Sequence, residues 1–241
     1  MNNLKNKTAF ITGGSKGIGF GIAQALINQG VNVAITSRSL ESAEKAAKQL
    51  TTTDAKALGL EADVRNLKDQ EEAIKKTVAE FGQVDFVIAN AGLGHFANIT
   101  DLTPTQWNET IDTNLTGVFY TVKSSLEELK KSEGYFITIS SLAGTNFFPQ
   151  GTAYNASKFG LTGFSQALML DVREYGISVS TIMPGSVSTH FNGNDPEEKK
   201  EAEAWKIQIE DIGEIVVDLF KMNKRTLPSK IEVRPSRPDK K

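Results

Sequence analysis

The chain has 241 residues, of which 39% are hydrophobic and 23% charged, which suits one large globular domain or two small ones. Its formal net charge of −2 gives no indication of a nucleic-acid or membrane partner, and the lack of Cys excludes disulfides, thiolate metal sites and cysteine nucleophiles. With no signal-peptide core near its start and no apolar run of about 20 residues, it is expected to be cytoplasmic.

Short β-rich segments alternate along the chain with longer segments of helical periodicity. The predicted strands lie at residues 8–12, 32–36, 56–60, 85–89, 135–140, 178–183 and 230–234. The predicted helices lie at residues 17–29, 40–50, 67–81, 105–131, 153–174 and 209–222. This alternation predicts a single α/β domain over residues 1–241, Rossmann-type and doubly wound, with a seven-stranded, mostly parallel sheet and helices on both faces.

Two segments fall outside this alternation. Residues 186–206 are rich in Glu and Lys, and we interpret them either as a solvated helix or as a lid over a substrate site. Residues 235–241 contain two Pro and three basic residues and are predicted to form a flexible tail.

A glycine-rich loop joins the first predicted strand to the first predicted helix. Residues 12–19 have the sequence Thr-Gly-Gly-Ser-Lys-Gly-Ile-Gly, which places Gly13, Gly17 and Gly19 at Gly-x3-Gly-x-Gly spacing. Glycine allows a tight turn and a close approach of the backbone to a pyrophosphate, whose negative charge the helix N-terminus attracts. The loop therefore indicates a dinucleotide site, with a purely structural turn as the alternative.

The end of the second predicted strand carries the residues expected to distinguish NADP from NAD. An acid there would bind the ribose 2′-hydroxyl of NAD, whereas a basic residue suits the 2′-phosphate of NADP. The chain has Ser37 and Arg38 at this point and no acid, and Lys16 in the glycine loop is expected to reach the same phosphate. Two converging cations favour NADP(H) as the cofactor.

Tyr154 is followed four residues later by Lys158 within a predicted helix, so both side chains are expected on one helical face. A phenol has an ordinary pKa of about 10. A neighbouring cation is expected to lower that pKa, which makes Tyr154 a candidate proton donor. A Tyr-x3-Lys spacing also arises by chance at this composition, so its weight depends on the surrounding motifs.

Further short motifs accompany the glycine loop and the Tyr-Lys pair. In chain order they are Thr12-Gly13…Gly17-x-Gly19, Asp63-Val64, Asn90-Ala91-Gly92, Asn114, Ser141, Tyr154-x3-Lys158 and Pro184-Gly185-x-Val187-x-Thr189. With these motifs the chain resembles the short-chain dehydrogenase/reductases over nearly its whole length. The resemblance implies an NADP(H)-dependent oxidoreductase that interconverts a carbonyl and a secondary alcohol.

The resemblance implies catalytic roles for four residues, and no metal site is predicted. Tyr154 would protonate the substrate oxygen during reduction, and Lys158 would lower the pKa of Tyr154 and bind the nicotinamide ribose. Ser141 would orient the substrate oxygen, and Asn114 would hold a water that connects Lys158 to solvent. Two donors at the oxygen also suit the negative charge that develops there. Ser140 is the alternative to Ser141, but alternation along the strand is expected to point it away.

The resemblance also implies a full set of cofactor contacts. Asp63 would bind the adenine amino group, with the Val64 backbone nearby, and residues 90–92 would line the adenosine ribose. The Val187 backbone and the Thr189 hydroxyl would bind the nicotinamide carboxamide. The residues expected to bind the cofactor are Gly13, Ser15, Lys16, Gly17, Ile18, Gly19, Ser37, Arg38, Asp63, Val64, Asn90, Ala91, Gly92, Tyr154, Lys158, Pro184, Gly185, Val187 and Thr189.

Small residues form a stripe on the helix that carries Tyr154. The stripe consists of Ala156, Gly160, Gly163 and Ala167, roughly opposite the Tyr154 face. Small side chains allow a second helix to approach closely, either within the subunit or from another subunit. Because the resembled family commonly forms dimers and tetramers through this helix, we expect a homodimer or homotetramer.

The substrate is the part that the sequence defines least. Candidate pocket residues, placed by their proximity to the motifs, are Leu93, His95, Phe96, Phe147, Phe148, Phe191 and Trp205. The chain is most similar to the 3-oxoacyl-[acyl-carrier-protein] reductases, which implies a carbonyl substrate that a carrier protein could present. Those reductases tend to carry a basic residue, useful for an acidic carrier protein, just before the Gly that ends the catalytic helix. Here Tyr175 precedes Gly176, although Arg173 lies near, and Lys130 and Lys131 end the preceding helix. The last strand also lacks the Gly-rich ending typical of those reductases. The alternatives are a small-ketone, hydroxy-acid or sugar dehydrogenase and a noncatalytic NADP-binding sensor or scaffold.

Overall fold

The computed structural model of the protein describes residues 3–193 and 201–238, apart from the side chain of Asn192. Its strands are β1 (Thr8–Ile11), β2 (Asn32–Ser37), β3 (Ala57–Glu61), β4 (Phe86–Ala89), β5 (Tyr135–Ile139), β6 (Ser178–Pro184) and β7 (Lys230–Val233). They form one sheet in the order β3-β2-β1-β4-β5-β6-β7, and all neighbouring strands in it are parallel. The predicted Rossmann-type α/β fold is confirmed, with a sheet that is wholly parallel.

The helices lie between the strands in sequence, as the alternation predicts. They are α1 (Gly17–Ile27), α2 (Leu40–Leu50), α3 (Leu67–Phe81), α4 (Pro104–Ile111), α5 (Gly117–Ser132), α6 (Thr152–Val172) and α7 (Ile209–Lys221). Within the described residues, no helix is long and apolar enough to cross a membrane.

Apolar side chains on the two faces of the sheet form two separate cores. Ala9 and Ile11 of β1 face the core formed with α1, α2 and α7. Phe10, between them, faces the core formed with α3, α5 and α6. All three are fully buried, because alternate residues of a strand point to opposite faces and helices cover both.

The strand order reverses at β1, and this reversal creates the site. β1 pairs with β2 on one side and with β4 on the other. From the end of β1 the chain continues to β2 on one side of the sheet, and from the end of β4 it continues to β5 on the other side. In open parallel sheets a crevice forms at such a point, outside the carboxyl ends of the strands.

The prediction of one continuous helix over residues 105–131 is wrong, because the helix is interrupted in its middle. A π-helical turn, Asp112–Thr116, separates α4 from α5. Such a turn holds one residue more than an α-helical turn, and here it directs Asn114 inward. The Asn114 amide hydrogen-bonds both the N–H and the carbonyl of Leu93, so a long-range contact accompanies the local irregularity.

The segment predicted as a lid or a solvated helix is described only in part. Val187 pairs with Ile207 in an isolated parallel bridge, and a short 3-10 turn spans Phe191–Gly193. Within 186–193 and 201–206 the backbone forms no α-helix. Residues 194–200 lie outside the described residues, so the lid stays a prediction.

The C-terminal residues follow β7. Of the tail predicted at residues 235–241, the structure describes 235–238. Residues 239–241 lie outside the described residues, and the flexibility of the tail stays a prediction.

Candidate active site

One long cavity of about 720 Å³ runs along the carboxyl edge of the sheet. It extends from Asp63, after β3, to Pro184, at the end of β6. It is lined by every residue predicted to bind the cofactor or to act in catalysis, with the exceptions of Gly19 and Asn114. The fold thus brings together side chains that lie far apart in the sequence.

Asn90 fixes the glycine loop against the end of β4. Its Nδ2 donates to the carbonyl oxygens of Thr12 and Gly13 at 2.9 and 3.1 Å. In return, the Thr12 hydroxyl accepts from the N–H groups of Asn90 and Ala91 at 3.0 and 3.1 Å. A Cβ on Gly19 would lie 2.5 Å from Asn90 Nδ2, which gives Gly19 a packing role beside the cavity. These four hydrogen bonds hold the glycine loop against the end of β4.

Gly13 adopts a backbone conformation that favours glycine. Its φ is +64°, and a Cβ there would lie 3.0 Å from the Ala91 Cα. Gly17, at the start of α1, also has a positive φ of +59°. The absence of side chains here leaves backbone N–H groups accessible at the helix N-terminus, as a pyrophosphate site requires.

Asp63 forms a close ion pair with Arg65, a residue that the sequence analysis missed. Arg65 Nη2 lies 2.6 Å from Asp63 Oδ2, and Arg65 Nε lies 3.0 Å from both carboxylate oxygens. This hydrogen bonding holds the pKa of the Asp63 carboxyl below its ordinary value. Both residues line the cavity. An adenine bound at Asp63, as predicted, would therefore contact a carboxylate that is already paired with Arg65.

Lys16 and Arg38 lie together on a second cavity of about 660 Å³, which shares Ser15, Lys16, Ser37 and Arg38 with the first. Lys45 of α2 forms part of its far wall and was not predicted. Within the part of the chain described, Lys16, Arg38 and Lys45 form no ion pair. Three cations that form no ion pair among the described residues and that share one cavity are suited to a phosphate.

Lys158 is buried beside Tyr154. Its Nζ donates to the carbonyl oxygen of Ile139 at 3.0 Å and lies 5.7 Å from the centre of the Tyr154 ring. Burial disfavours the charged ammonium and lowers the pKa of Lys158 to about 8. With its pKa this near neutral pH, Lys158 changes its charge in response to small changes in its surroundings.

The structure contradicts the direction predicted for the Tyr154 pKa. Burial raises the pKa of the Tyr154 phenol, and a hydrogen bond with Ser141 only partly opposes that effect. Lys158 is not among the causes of this shift; its Nζ donates to the Ile139 carbonyl and lies 5.7 Å from the centre of the Tyr154 ring. In the protein alone, Tyr154 is a protonated donor.

Ser141 and Ser140 point in different directions, as strand alternation predicts. The Ser141 hydroxyl accepts from the Ala143 N–H at 3.1 Å and hydrogen-bonds Tyr154. The Ser140 hydroxyl contacts α6, at 3.2 Å from the Thr162 hydroxyl. Ser141 is thus the serine positioned next to the phenol.

Asn114 braces the loop after β4. Its Oδ1 accepts from the Leu93 N–H at 2.9 Å, and its Nδ2 donates to the Leu93 carbonyl and to the Ser157 hydroxyl at 2.8 and 3.0 Å. A Cβ on Gly92 would lie 3.2 Å from Asn114 Oδ1 and 3.7 Å from Lys158 Nζ. The predicted water-holding role stays a prediction.

The candidate pocket residues separate into three groups. Leu93, Phe96 and Phe191 line the cavity, and Phe148 packs on Phe96. The lining does not include His95 and Trp205, and His95 is bound by Glu109 at 2.8 Å. The Phe147 side chain lies outside the cavity and is 85% exposed.

The segment after β6 is held by a buried carboxylate that the sequence analysis missed. Glu203 accepts from the Ser188 hydroxyl at 2.8 Å, between the predicted nicotinamide contacts Val187 and Thr189. Lys206 Nζ donates to the same carboxylate at 2.5 Å and lines the cavity. Glu203 lies fifteen residues after Ser188, and no periodic pattern in the sequence relates them.

The residues along the cavity fit a nicotinamide dinucleotide. Any side chain at Gly13 would crowd the turn on which a pyrophosphate would rest. Thr36 Oγ1 is buried, lies on a residue that lines the cavity and has no hydrogen-bond partner among the described residues. Fold and cavity together define a dinucleotide-binding α/β protein.

Comparison with known proteins gives the family. The short chain dehydrogenase family matches residues 7–200. The chain is 32% identical to an uncharacterized oxidoreductase of Staphylococcus saprophyticus, over 98% of this chain and 100% of that protein. The chain belongs to the short-chain dehydrogenase family of oxidoreductases.

Two solved structures of the family show the same fold. An alcohol dehydrogenase from the archaeon Thermococcus sibiricus, complexed with 5-hydroxy-NADP, is 31% identical, with a TM-score of 0.87 over 97% of this chain and 99% of that one. A 3-ketoacyl-ACP reductase from Sinorhizobium meliloti is also 31% identical, with a TM-score of 0.85 over 95% of this chain and 97% of that one.

Proposed function

We propose that the protein reduces a ketone to a secondary alcohol, reversibly, with NADPH as the hydride donor. One observation carries the proposal: the Tyr154 phenol, the Ser141 hydroxyl and the buried Lys158 line the cavity that also reaches Lys16 and Arg38. A proton donor for an oxygen and a phosphate-binding end thus lie on one continuous surface. The test is NADPH consumption by the purified protein over a panel of ketones, keto esters, thioesters and sugars.

The chain's own residues supply binding, orientation and a proton. When bound, the nicotinamide supplies the hydride that reaches the carbonyl carbon. Ser141 and Tyr154 donate hydrogen bonds to the carbonyl oxygen, where negative charge develops, and Tyr154 transfers its proton to that oxygen. Lys158, beside the phenol, stabilises the phenolate that remains while it is itself protonated.

The raised pKa of Tyr154 is compatible with its role as the proton donor in the proposed reduction. Since burial keeps the phenol protonated near neutral pH, the donor is ready before substrate binds. Alcohol oxidation would first require removal of that proton. The protonation state therefore suits the proton-donating role proposed for Tyr154 in carbonyl reduction.

Arg38→Ala is expected to reduce the preference for NADPH over NADH about 10- to 100-fold in kcat/KM, because a charge-assisted phosphate contact is lost. The readouts are kcat/KM with each cofactor and the affinity for 2′,5′-ADP by calorimetry. Lys48→Ala is the matched control, because Lys48 is an exposed residue of α2 that lines neither cavity. An unmodified protein that uses NADH as efficiently as NADPH would overturn the NADP assignment.

A 3-oxoacyl thioester is the second candidate substrate, favoured by the 31% identity to the Sinorhizobium meliloti 3-ketoacyl-ACP reductase. Two of the cations expected to attract an acidic carrier are paired with carboxylates. Lys130 and Lys131 are paired with Glu127 and Glu128 at 2.8 and 2.6 Å. Lys130 also lies 4.6 Å from the centre of the Tyr175 ring. These pairings support a free small molecule over a carrier-bound substrate.

We also propose a homo-oligomer assembled through α5 and α6. Gly163 and the small side chains of Ala156 and Ala167 are exposed, and Phe119 and Phe159 are exposed large apolar residues on the same two helices. Apolar surface of this kind favours burial against another subunit.

Gly163→Glu is expected to convert the oligomer to a smaller species. No atom lies within 4 Å of a Cβ at Gly163, so the monomer has room for the new side chain, while a partner helix would have to bury a charge. Light scattering at micromolar concentration measures the outcome, with Lys48→Glu as the control. Wild-type protein that is monomeric under these conditions would exclude the proposed assembly.

A further inference from the structure

Two aromatic rings, those of Phe96 and Phe191, contact Tyr154 at the end of the cavity where its hydroxyl lies. The Phe96 ring meets the Tyr154 ring edge to face, with centres 5.3 Å apart. Phe191 lies 6.0 Å from the same ring, and Phe148 lies 5.8 Å from Phe96. Tyr154 therefore reaches the substrate from within an apolar surface, which we call the aromatic collar: Phe96, Phe148 and Phe191.

The collar rings remain accessible. Phe96, Phe148 and Phe191 are 40%, 43% and 36% exposed. A side chain at Gly94 would lie 2.8 Å from Phe96 Cζ and 3.2 Å from Tyr154 Cδ2, so the glycine leaves the space into which the two rings pack. Aromatic surface held at this exposure next to a proton donor is suited to covering a flat apolar group.

The cations near the collar are already engaged. Of the described residues that line this end of the cavity, Lys158 donates to the Ile139 carbonyl and Lys206 is paired with Glu203. His190 also lines the cavity and offers a hydrogen-bonding ring. Among the described residues, a substrate carboxylate would therefore lose water without gaining a cation that is free of other contacts, which disfavours it.

We infer that the substrate is an uncharged ketone bearing an aryl group, or an apolar group of similar size, which packs against Phe96 and Phe191. Its carbonyl oxygen lies at Ser141 and Tyr154. The inference rests on the proposed ketone reduction and adds the substrate class. Phe96 is the specificity-determining residue, since it contacts Tyr154 directly and is supported from behind by Phe148. Burial of the aryl group against these rings gives the preference over smaller ketones.

Four ketones that differ in one property at a time test the inference. Ethyl phenylglyoxylate and ethyl pyruvate compare phenyl with methyl, and phenylglyoxylate and pyruvate are the corresponding acids. For the wild type we expect kcat/KM to be about 50-fold higher for the phenyl ester than for the methyl ester. The esters are expected to exceed their acids by about 100-fold or more.

Phe96→Ala is expected to reduce the phenyl preference, the ratio of kcat/KM for ethyl phenylglyoxylate to that for ethyl pyruvate, about tenfold. Phe147→Ala removes the same ring from an exposed position next to Phe148 and is expected to keep the preference. A loss of activity on both esters together would instead indicate general damage to the site. That pattern, or equal losses in the two variants, overturns the role of Phe96.

Binding separates failure of the substrate class from failure of the proposed function. Saturation-transfer NMR with ethyl phenylglyoxylate needs no turnover, and its signal is expected to fall in Phe96→Ala and to persist in Phe147→Ala. Phe96-dependent binding without NADPH consumption would remove the reductase proposal and leave the substrate class standing. Turnover without phenyl preference, or a higher kcat/KM for an acetoacetyl thioester, would remove the substrate class alone.

Discussion

Tyr154→Phe is expected to lower kcat for carbonyl reduction by about 1000-fold, a loss in the range of general acid catalysis. The substitution removes one oxygen and keeps the ring, so the contacts with Phe96 and Phe191 and the packing of α6 remain. NADPH affinity is expected to change little, because the phosphate-binding end of the cavity is untouched. Steady-state kinetics and NADPH titration by fluorescence measure the two quantities.

Tyr175→Phe is the matched control. Tyr175 lies after α6 in an exposed position and does not line the cavity, so loss of its hydroxyl is expected to leave kcat unchanged. Equal turnover by the wild type and Tyr154→Phe would contradict the catalytic role of the phenol. NADPH binding without turnover in the wild type would favour the noncatalytic sensor or scaffold.

Lys158→Met is expected to stabilise the protein without cofactor by about 2 kcal/mol below pH 8, while reducing activity. A pKa lowered from 10.5 to about 8 means that folding disfavours the charged ammonium by roughly 3 kcal/mol. Loss of the donor to the Ile139 carbonyl offsets about 1 kcal/mol of the gain. The buried lysine is therefore a stability cost that the catalytic role proposed for it would explain.

The stability gained by Lys158→Met is expected to depend on pH. Below pH 8 both the folded and the unfolded wild type hold the proton, and the full penalty is present. As pH rises from about 8 to the unfolded pKa of about 10.4, only the unfolded chain binds the proton, so wild-type stability increases. The advantage of Lys158→Met is thus expected to shrink over that interval.

Urea unfolding at several pH values between 6.5 and 10 measures this stability difference. Lys48→Met, at an exposed position of α2, is expected to show no such trend. If Lys158→Met is less stable than the wild type at pH 7, or if its stability advantage grows with pH, burial does not lower the Lys158 pKa as described.

The sequence predicted the fold and most of the cavity lining because those features depend on local patterns. Strand and helix alternation defines the parallel sheet, and residues that directly follow strands, such as Asp63 and Ser141, must lie at its carboxyl edge. Spacing along one helix likewise brings Tyr154 and Lys158 to the same cavity. In each case the position along an element determines the position in space.

The features that the sequence missed depend on contacts between distant residues or on burial. The π-helical turn at Asn114 accompanies hydrogen bonds to Leu93, twenty-one residues earlier in the chain. Glu203 acquires its role only once its segment packs against Ser188, fifteen residues earlier. Arg65 is the exception, since it pairs with Asp63 only two residues away. The Tyr154 pKa was predicted in the wrong direction because spacing reveals a neighbouring cation and not the loss of water around the phenol.

The order of the strands along the sheet separates two kinds of selectivity. Arg38 follows β2, whereas Phe96 follows β4 and Phe191 follows β6. The loop that carries Arg38 and the loops that carry the collar follow different strands of the same sheet. Ser141 and Tyr154, which carry the proposed chemistry for any substrate, follow β5. A change of electron donor and a change of electron acceptor can therefore arise by separate point mutations. Such a division allows one scaffold to diversify its substrates over evolutionary time while its reaction stays the same.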